Sequence, residues 1–360
     1  MKNNKLSILL PTFRFDATAR NAIETVAAMA SRDVSVHIGD NSCDPNKWAY
    51  LRGLADRSPF CYVHCHSSNI GPYGNWNFLW QQSESEFLCY VADDDIYTPD
   101  YFFAALEELR RNADCAAASG CFLALTWRAG TLHVEPSQSN LHATPVNRVA
   151  AYSRHTGINA MVSAVHRREA VAGYLAYMSE RPFLPPYLDQ FMTYASLAAG
   201  TCVVDARRQI FLYNNTNWVD AETITRSNER HWIECGFSTQ FQQLHLLCWA
   251  VDVVHYFNSI YRPSTLDDIQ SQGIIEILYS TIFHGWFLNH VAVNNDALIA
   301  LFNPIPQALF ALKTLIATPC EDYESIIALF VVILRSFDAD IALRYEAFVA
   351  RSLRPAAAKR

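Results

Sequence analysis

Three aspartates in a row, Asp93-Asp94-Asp95, directly follow an apolar run at 87–91. Like charges a few ångströms apart repel and raise one another's pKa, so the triplet is costly unless something neutralises it. A divalent cation would do so. Oxygen-rich sites suit Mg²⁺ or Mn²⁺, which commonly bridge a couple of carboxylates to substrate phosphates. The same residues would also suit a solvated acidic turn, because Pro99 opens a helix just beyond and a carboxylate near a helix N-terminus is stabilising. Asp40-Asn41-Ser42 is a second polar cluster. Taken alone it reads as a turn, since these side chains hydrogen-bond nearby backbone.

The elements that must position these clusters follow from apolar spacing. Residues 6–10 form an apolar run ended by Pro11, and 18–30 carry Ile23, Val26, Ala27 and Ala30 at helical spacing. Val34, Val36 and Ile38 alternate as a second strand, 46–57 can be helical, and 60–64 and 87–91 make two more strands. In the helix after Pro99, Phe102, Phe103, Leu106 and Leu109 share one face. Strands alternating with helices imply a mainly parallel sheet covered on both faces. Ligands of such sheets bind beyond the carboxyl ends of the strands. The residues there are Thr12 and Arg14, then Asp40-Asn41-Ser42, then Asn69 and Gly71, then Asp93-Asp94-Asp95. Further strands are expected at 122–127, 158–165, 201–204 and 209–213, and helices at 168–178 and 188–197. From about residue 223 the patterns are helical, at 240–261, 269–289 and 322–337, so the chain divides into an α/β unit (1–222) and a helical unit (223–360).

The bulk composition narrows the function. At 360 residues, 51% hydrophobic and 18% charged, the chain has ample material for a buried core. A net charge of -7 with no basic cluster disfavours nucleic-acid partners. Ten cysteines without a CxxC pair, and a start without a secretory signal, suggest reduced thiols and a cytoplasmic protein. The apolar stretch 326–334 is far shorter than the roughly 20 residues a bilayer span needs. Contact with the inner membrane face through the Trp-, Phe- and Leu-rich second half stays open.

In order, Pro11-Thr12-Phe13-Arg14, Ile38-Gly39-Asp40-Asn41-Ser42, Asn69-Ile70-Gly71 with Asn75 and Asn77, and Val91-Ala92-Asp93-Asp94-Asp95-Ile96-Tyr97-Thr98-Pro99 resemble family 2 glycosyltransferases of the GT-A fold. The resemblance covers roughly residues 5–215 and implies a Rossmann-like sheet flanked by helices, with the α-helical region appended. It implies that Pro11, Thr12, Phe13, Arg14, Asn69, Gly71 and Asn75 line the donor pocket, that Asp40 accepts from the base and that Asp93 lies near the ribose. Asp94 or Asp95 would hold Mn²⁺ or Mg²⁺ on the diphosphate. Asp189, opening a helix after Pro185-Pro186-Tyr187-Leu188, matches the general base of inverting members, although the acidic residue often found before it is Leu188 here. Tyr213-Asn214-Asn215 lacks the Arg commonly found after that aromatic, leaving His231 or Arg226 to steady the diphosphate. The expected reaction is sugar transfer from a nucleoside diphosphate, UDP foremost, to a glycan or lipid-linked acceptor.

Two other readings remain. One is a non-catalytic module that keeps the nucleotide pocket and docks a partner through its helices. The other, a nucleotidyltransferase, lacks a Gly-rich basic loop after the first strand. Trp76 and Trp80 read as core, with Trp218 open.

Overall fold

The structure is a computed structural model that describes the chain except for residues 1–4, 129–130, 137–143, 155–159, 215–220, 238, 294–295, 297–299, 301, 303–304 and 355–360. Its first half alternates β1 (Leu6–Thr12), α1 (Ala17–Ala27), β2 (Val34–Asp40), α2 (Pro45–Ala55), β3 (Cys61–Cys65), α3 (Pro72–Gln82), β4 (Phe87–Tyr90) and α4 (Pro99–Arg111). These four strands are parallel neighbours. β5 (Cys115–Arg128), β6 (Thr131–Pro136), α5 (Pro145–Ser153), β7 (Val165–Arg167), α6 (Arg168–Glu180), α7 (Leu188–Ala199) and β8 (Thr201–Asn214) follow. The sheet order is β3-β2-β1-β4-β7-β5-β6, with β8 pairing with β5. Among the described strands, β6 and β7 run antiparallel to their neighbours.

β1 is buried on both faces, and its alternating side chains feed two cores. Leu6, Ile8 and Leu10 pack with α1, α2 and α4, whereas Leu9 faces the opposite way, toward Tyr73, Leu79 and Tyr90. That second core continues without a break through α6 and α7 into the C-terminal helices, as far as Val349. Those helices are α8 (Ala221–Glu234), α9 (His245–Asn258), α10 (Asp268–Tyr279), α11 (Leu288–Val293), α12 (Pro306–Ala317), α13 (Tyr323–Phe337) and α14 (Ala339–Ser352). Among the described residues no helix is long and apolar enough to cross a membrane. The cysteines whose side chains are described are free thiols.

Four local expectations change. The strand runs through Pro11 to Thr12, which is tolerated because pairing with β4 stops at Leu9, leaving no ladder partner that would need the missing N–H. In place of a strand at 158–165, Ala160–Ser163 is a 3₁₀ turn. The Ser163 carbonyl accepts from Tyr101 Oη (2.7 Å) and Cys89 Sγ (3.1 Å) rather than from a ladder. The pattern at 269–289 is α10 continued by a π-helical segment, Ser280–Phe287, and the one at 240–261 starts as a 3₁₀ turn, Thr239–Leu244.

A buried ionic hub joins the halves. Arg181, after α6, pairs with Asp252 of α9 at 2.7 Å, and both are fully buried. Tyr177, Tyr187 and Tyr345 all donate to the same carboxylate. His255 bonds Tyr177 and Ser352. Removing one member of such a pair leaves an uncompensated charge, whereas replacing both with apolar side chains is often neutral. Asp252→Ala is therefore expected to cost about 3–5 kcal/mol. The Arg181→Met/Asp252→Leu double variant should lie much closer to wild type in urea unfolding. Equal losses in both would show that the pair itself, not the uncompensated charge, governs stability here.

Candidate functional site

The carboxyl ends of β1, β2 and β4 meet in one hydrogen-bonded cluster. Asp93, just past β4, reaches across to the end of β1 and accepts from Thr12 Oγ1 (2.8 Å), Phe13 N (3.0 Å) and Arg14 N (3.2 Å). Lys47 Nζ, from the first turns of α2, donates to Thr12 Oγ1 at 2.8 Å and to Asp40 Oδ1 at 2.9 Å. Lys47 and Asp40 are both wholly buried. Burial pushes the Lys47 ammonium down, and its bond to Asp40 opposes that shift. Register makes this possible, because Thr12 lies directly beside Asp40 on the neighbouring strand.

Arg14 answers the charge of the triplet. Its Nη2 lies 3.0 Å from Asp93 Oδ1 and 2.8 Å from Asp94 Oδ2. Burial alone would depress its pKa, but the adjacent Asp94 and Asp93 charges hold it above its ordinary value. Asp94 itself is raised, first by burial, with Arg14 pulling it back and Asp93 pushing it further up. Asp95 turns inward, 2% exposed, and accepts from Tyr97 Oη at 3.1 Å. Of the two expected metal ligands, Asp94 is thus the one left partly open. Among the described residues no group of three or more His, Cys, Asp or Glu side chains is arranged to hold a metal. A cation here would be shared between the protein and a bound diphosphate.

The end of β2 connects to the next loop. Cys43 takes a left-handed conformation (φ 58°), and Asp44 then caps α2 by accepting from Asn46 N. Asn41 Oδ1 accepts from Ile70 N at 2.8 Å, and Asn69 Oδ1 accepts from Gly71 N at 2.8 Å and from the Asn41 amide. Gly71 has φ +75° and serves as the N-cap of α3. Asn75 lies beneath, its amide on the Gly39 carbonyl (2.7 Å) and its Oδ1 against His66 Nε2 (3.0 Å). A Cβ on Gly39 would come within 2.1 Å of that Oδ1, so the close packing of α3 on β2 requires glycine there. Thr12, Asp40, Asn75, Asp93 and Gly71 are accordingly buried, while Pro11, Phe13, Arg14, Asn69 and Asp94 present surface.

Asp189 sits in the first turn of α7, half-buried, with Tyr73 Oη donating to its Oδ1 at 3.5 Å. Tyr73 belongs to α3, one residue past Pro72, so the contacts run from Asp93 through Thr12, Lys47, Asp40 and the Asn41–Gly71 loop to Asp189. His231 is edge-on to Tyr73 at 6.4 Å, and burial pushes its imidazole down to about 4. Arg226 instead faces solvent beside Glu222, 3.6 Å away. Trp76 stacks on Tyr90 at 4.5 Å, and Trp80 lies under the Arg168 guanidinium at 4.6 Å, so both are partly buried and pack against the core. Trp218 falls outside the described residues. Lys47 and Tyr73 were not legible beforehand. Nothing in the spacing of Lys47 marks a buried cation, a rare state for lysine.

Residues 7–134 match the family model described as Glycosyl transferase family 2. Over those residues the chain is similar to glycosyl transferase family 2. Two curated relatives align with part of this chain. Succinoglycan biosynthesis protein ExoM of Rhizobium meliloti is 31% identical over 101 residues, 26% of this chain and 32% of that protein. The GalNAc(5)-diNAcBac-PP-undecaprenol beta-1,3-glucosyltransferase of Campylobacter jejuni is 29% identical over 92 residues, 25% of this chain and 30% of that one. The match thus spans under a third of these relatives' own length. The chain also superposes on S. aureus TarS 1-349 solved with UDP-GlcNAc, at TM-score 0.52 and 13% identity, covering 96% of this chain and 90% of that one. That likeness is one of fold, and the fold is GT-A.

The two salt-bridge centres should respond differently to mutation. Lys47→Met strands a buried carboxylate and is expected to cost about 3–5 kcal/mol in denaturant unfolding. Arg14→Ala removes a partner a third exposed and should cost under about 1 kcal/mol. The reverse order would contradict the assignment of Lys47 as the anchor.

Proposed function

We propose that the protein transfers a sugar from a nucleoside diphosphate donor, with UDP the foremost candidate, to a hydroxyl of a glycan or lipid-linked acceptor in polysaccharide assembly. The observation that carries this is the convergence of the β1, β2 and β4 ends on one cluster, linked by continuous contacts to the Asp189 carboxylate. Pro11, Phe13, Arg14 and Asn69 offer donor-facing surface, and Thr12, Asp40, Asn75 and Asp93 hold that surface in place. The relative that acts on an undecaprenol-linked glycan and the neighbour solved with UDP-GlcNAc lend support of different kinds, one by partial sequence likeness and one by fold.

Asp94 is the residue through which Mn²⁺ or Mg²⁺ would be held, since it is the open member of the triplet. A divalent ion at that place supplies charge neutralisation for a departing diphosphate. Arg14, already fixed between Asp93 and Asp94, is placed to add a second positive charge. Asp189 is assigned as general base. As the acceptor oxygen bonds to the anomeric carbon, the bond from that carbon to the diphosphate oxygen breaks, and the acceptor proton passes to the Asp189 carboxylate. Attack from the face opposite the leaving group inverts the anomeric centre. Cytoplasmic location, with acceptor reached at the inner membrane face, belongs to the same proposal.

The test is nucleoside diphosphate release from a panel of nucleotide sugars with and without Mn²⁺. Asp189→Asn should lower kcat by about 10²–10⁴ with donor KM little changed. Asp94→Ala should abolish the metal dependence. If Asp189→Asn retains wild-type turnover, the base is misassigned, and absence of any turnover alongside intact nucleotide binding would favour a binding module.

The raised Asp94 pKa also sets a direction with pH. Metal binding needs the carboxylate, so acidification should weaken Mn²⁺ affinity beginning above the range of an ordinary carboxylate near about 4. Isothermal titration in the presence of UDP measures this, and a pH-independent affinity down to that range would refute it.

A further inference from the structure

Beside Asp189 lies a band of side chains that the donor site does not use. It comprises His231 of α8, Gln242 and Gln243 of the 3₁₀ turn, His245 of α9, and Trp286 and His290 from the π-helical segment and α11, all half-buried. Geometry ties it to the base from two directions. Tyr73, which touches the Asp189 carboxylate, is edge-on to His231. Tyr187, two residues before Asp189, is edge-on to His245 at 5.2 Å and stacked with Trp249 at 5.7 Å, and Trp249 in turn meets Trp286 at 5.5 Å.

Several buried polar atoms in this region have no hydrogen-bond partner. His231 Nδ1, Trp232 Nε1, Gln242 Oε1, His245 Nδ1 and Trp249 Nε1 are all buried, and none has a hydrogen bond. Groups of this kind are normally satisfied, so a cluster of them calls for a bound molecule or ordered water. Gln243 Oε1 is taken, by His290 Nε2 at 2.9 Å. The chemistry of the band is donors, acceptors and aromatic faces without fixed charge. Burial holds His231 and His245 down at about 4 and lowers His290 as well, so all three imidazoles are neutral near pH 7. The nearest charged pair on α8, Arg230 and Glu234, is self-compensating at 3.9 Å.

We propose that this band is the subsite for an uncharged sugar residue of the acceptor, seated so that its hydroxyl meets Asp189. The proposal rests on the glycosyl-transfer reading, and it commits to a neutral pyranoside over a phosphorylated or anionic acceptor unit. Aromatic faces pack against the C–H face of such a ring, while imidazoles and carboxamides in their neutral forms exchange hydrogen bonds with its hydroxyls. Among the described residues a phosphate or carboxylate would find no unpaired counter-charge here and would be desolvated without compensation.

Saturation-transfer NMR on the full chain tests this, with methyl β-glucoside and methyl β-N-acetylgalactosaminide as neutral probes, N-acetylgalactosamine 6-phosphate as a charged counterpart, and UDP as a separate donor-site probe. The neutral glycosides are expected to receive saturation and the sugar phosphate little. Gln242→Leu and His245→Phe replace unpartnered polar atoms with apolar ones of similar size, so each should keep or raise Tm and leave the UDP signal unchanged. Each should weaken glycoside binding by about tenfold or more. Glycoside signals that survive both substitutions, a stronger signal from the sugar phosphate, no signal from either neutral probe, or a sharp Tm loss in both variants would each overturn the subsite, the last by showing that the polar atoms serve the fold. A missing UDP signal in the wild type would count against the donor reading alone.

Discussion

The structure depends on one constraint: three carboxylates gathered near the ends of parallel strands must be neutralised before the chain can close over them. Lys47 does this for Asp40 from a wholly buried position, and Arg14 does it for Asp93 and Asp94 from a half-open one. The difference in burial divides the labour. Lys47, with no route to solvent, fixes the β1 and β2 ends relative to each other and is unsuited to exchange with a ligand. Arg14 lies at the surface of the cluster, where a diphosphate and its cation could share the Asp94 charge.

From that anchor the geometry propagates through short, saturated links. Asn41 and Asn69 lock the turn after β2 to the loop before α3, Gly71 permits the sharp entry into the helix, and Gly39 lets Asn75 approach the strand. Tyr73 then carries the position of α3 to Asp189. On its other side the entry to α7 is held by α6 and by the C-terminal helix α9, because Tyr174 of α6 donates to the Leu188 carbonyl and Tyr187 donates to Asp252 of α9 in the Arg181 hub. The helical region therefore helps to set the place of the proposed base, and its apolar core is continuous with the face of the sheet on which α3 and α7 pack.

Much of the α/β half was readable from the sequence because β1, β2 and β4 are buried on both faces and its polar residues occur where strands end. β1 to β4 and α4 follow from apolar runs, from Pro99 and from the Phe102, Leu106, Leu109 spacing. Contacts across large sequence separations were not readable. Lys47 looks like any surface lysine of a short helix until the register of β1 on β2 brings Thr12 beside Asp40, and Arg181 and Asp252 are joined only by tertiary packing. Arg14 and Asn75 were marked as donor-facing by their place in motifs, yet one is first a counter-ion to the triplet and the other an internal strut. The segment 158–165 misled because its apolar pattern fits a strand, whereas side chains from α4 and β4 capture the carbonyl of Ser163.

The central claim is that a cation-bridged nucleoside diphosphate binds at the Asp94 end of this cluster. Thermal unfolding of wild type and Asp94→Ala across a UDP titration, with and without Mn²⁺, examines it most directly. A ligand at about 100 times its Kd stabilises the native state by about 2.7 kcal/mol, so the wild-type Tm should climb with UDP and climb further with Mn²⁺, while Asp94→Ala should lose the metal-dependent part. A wild-type Tm indifferent to UDP and to every other nucleoside diphosphate, with and without the metal, would contradict the account.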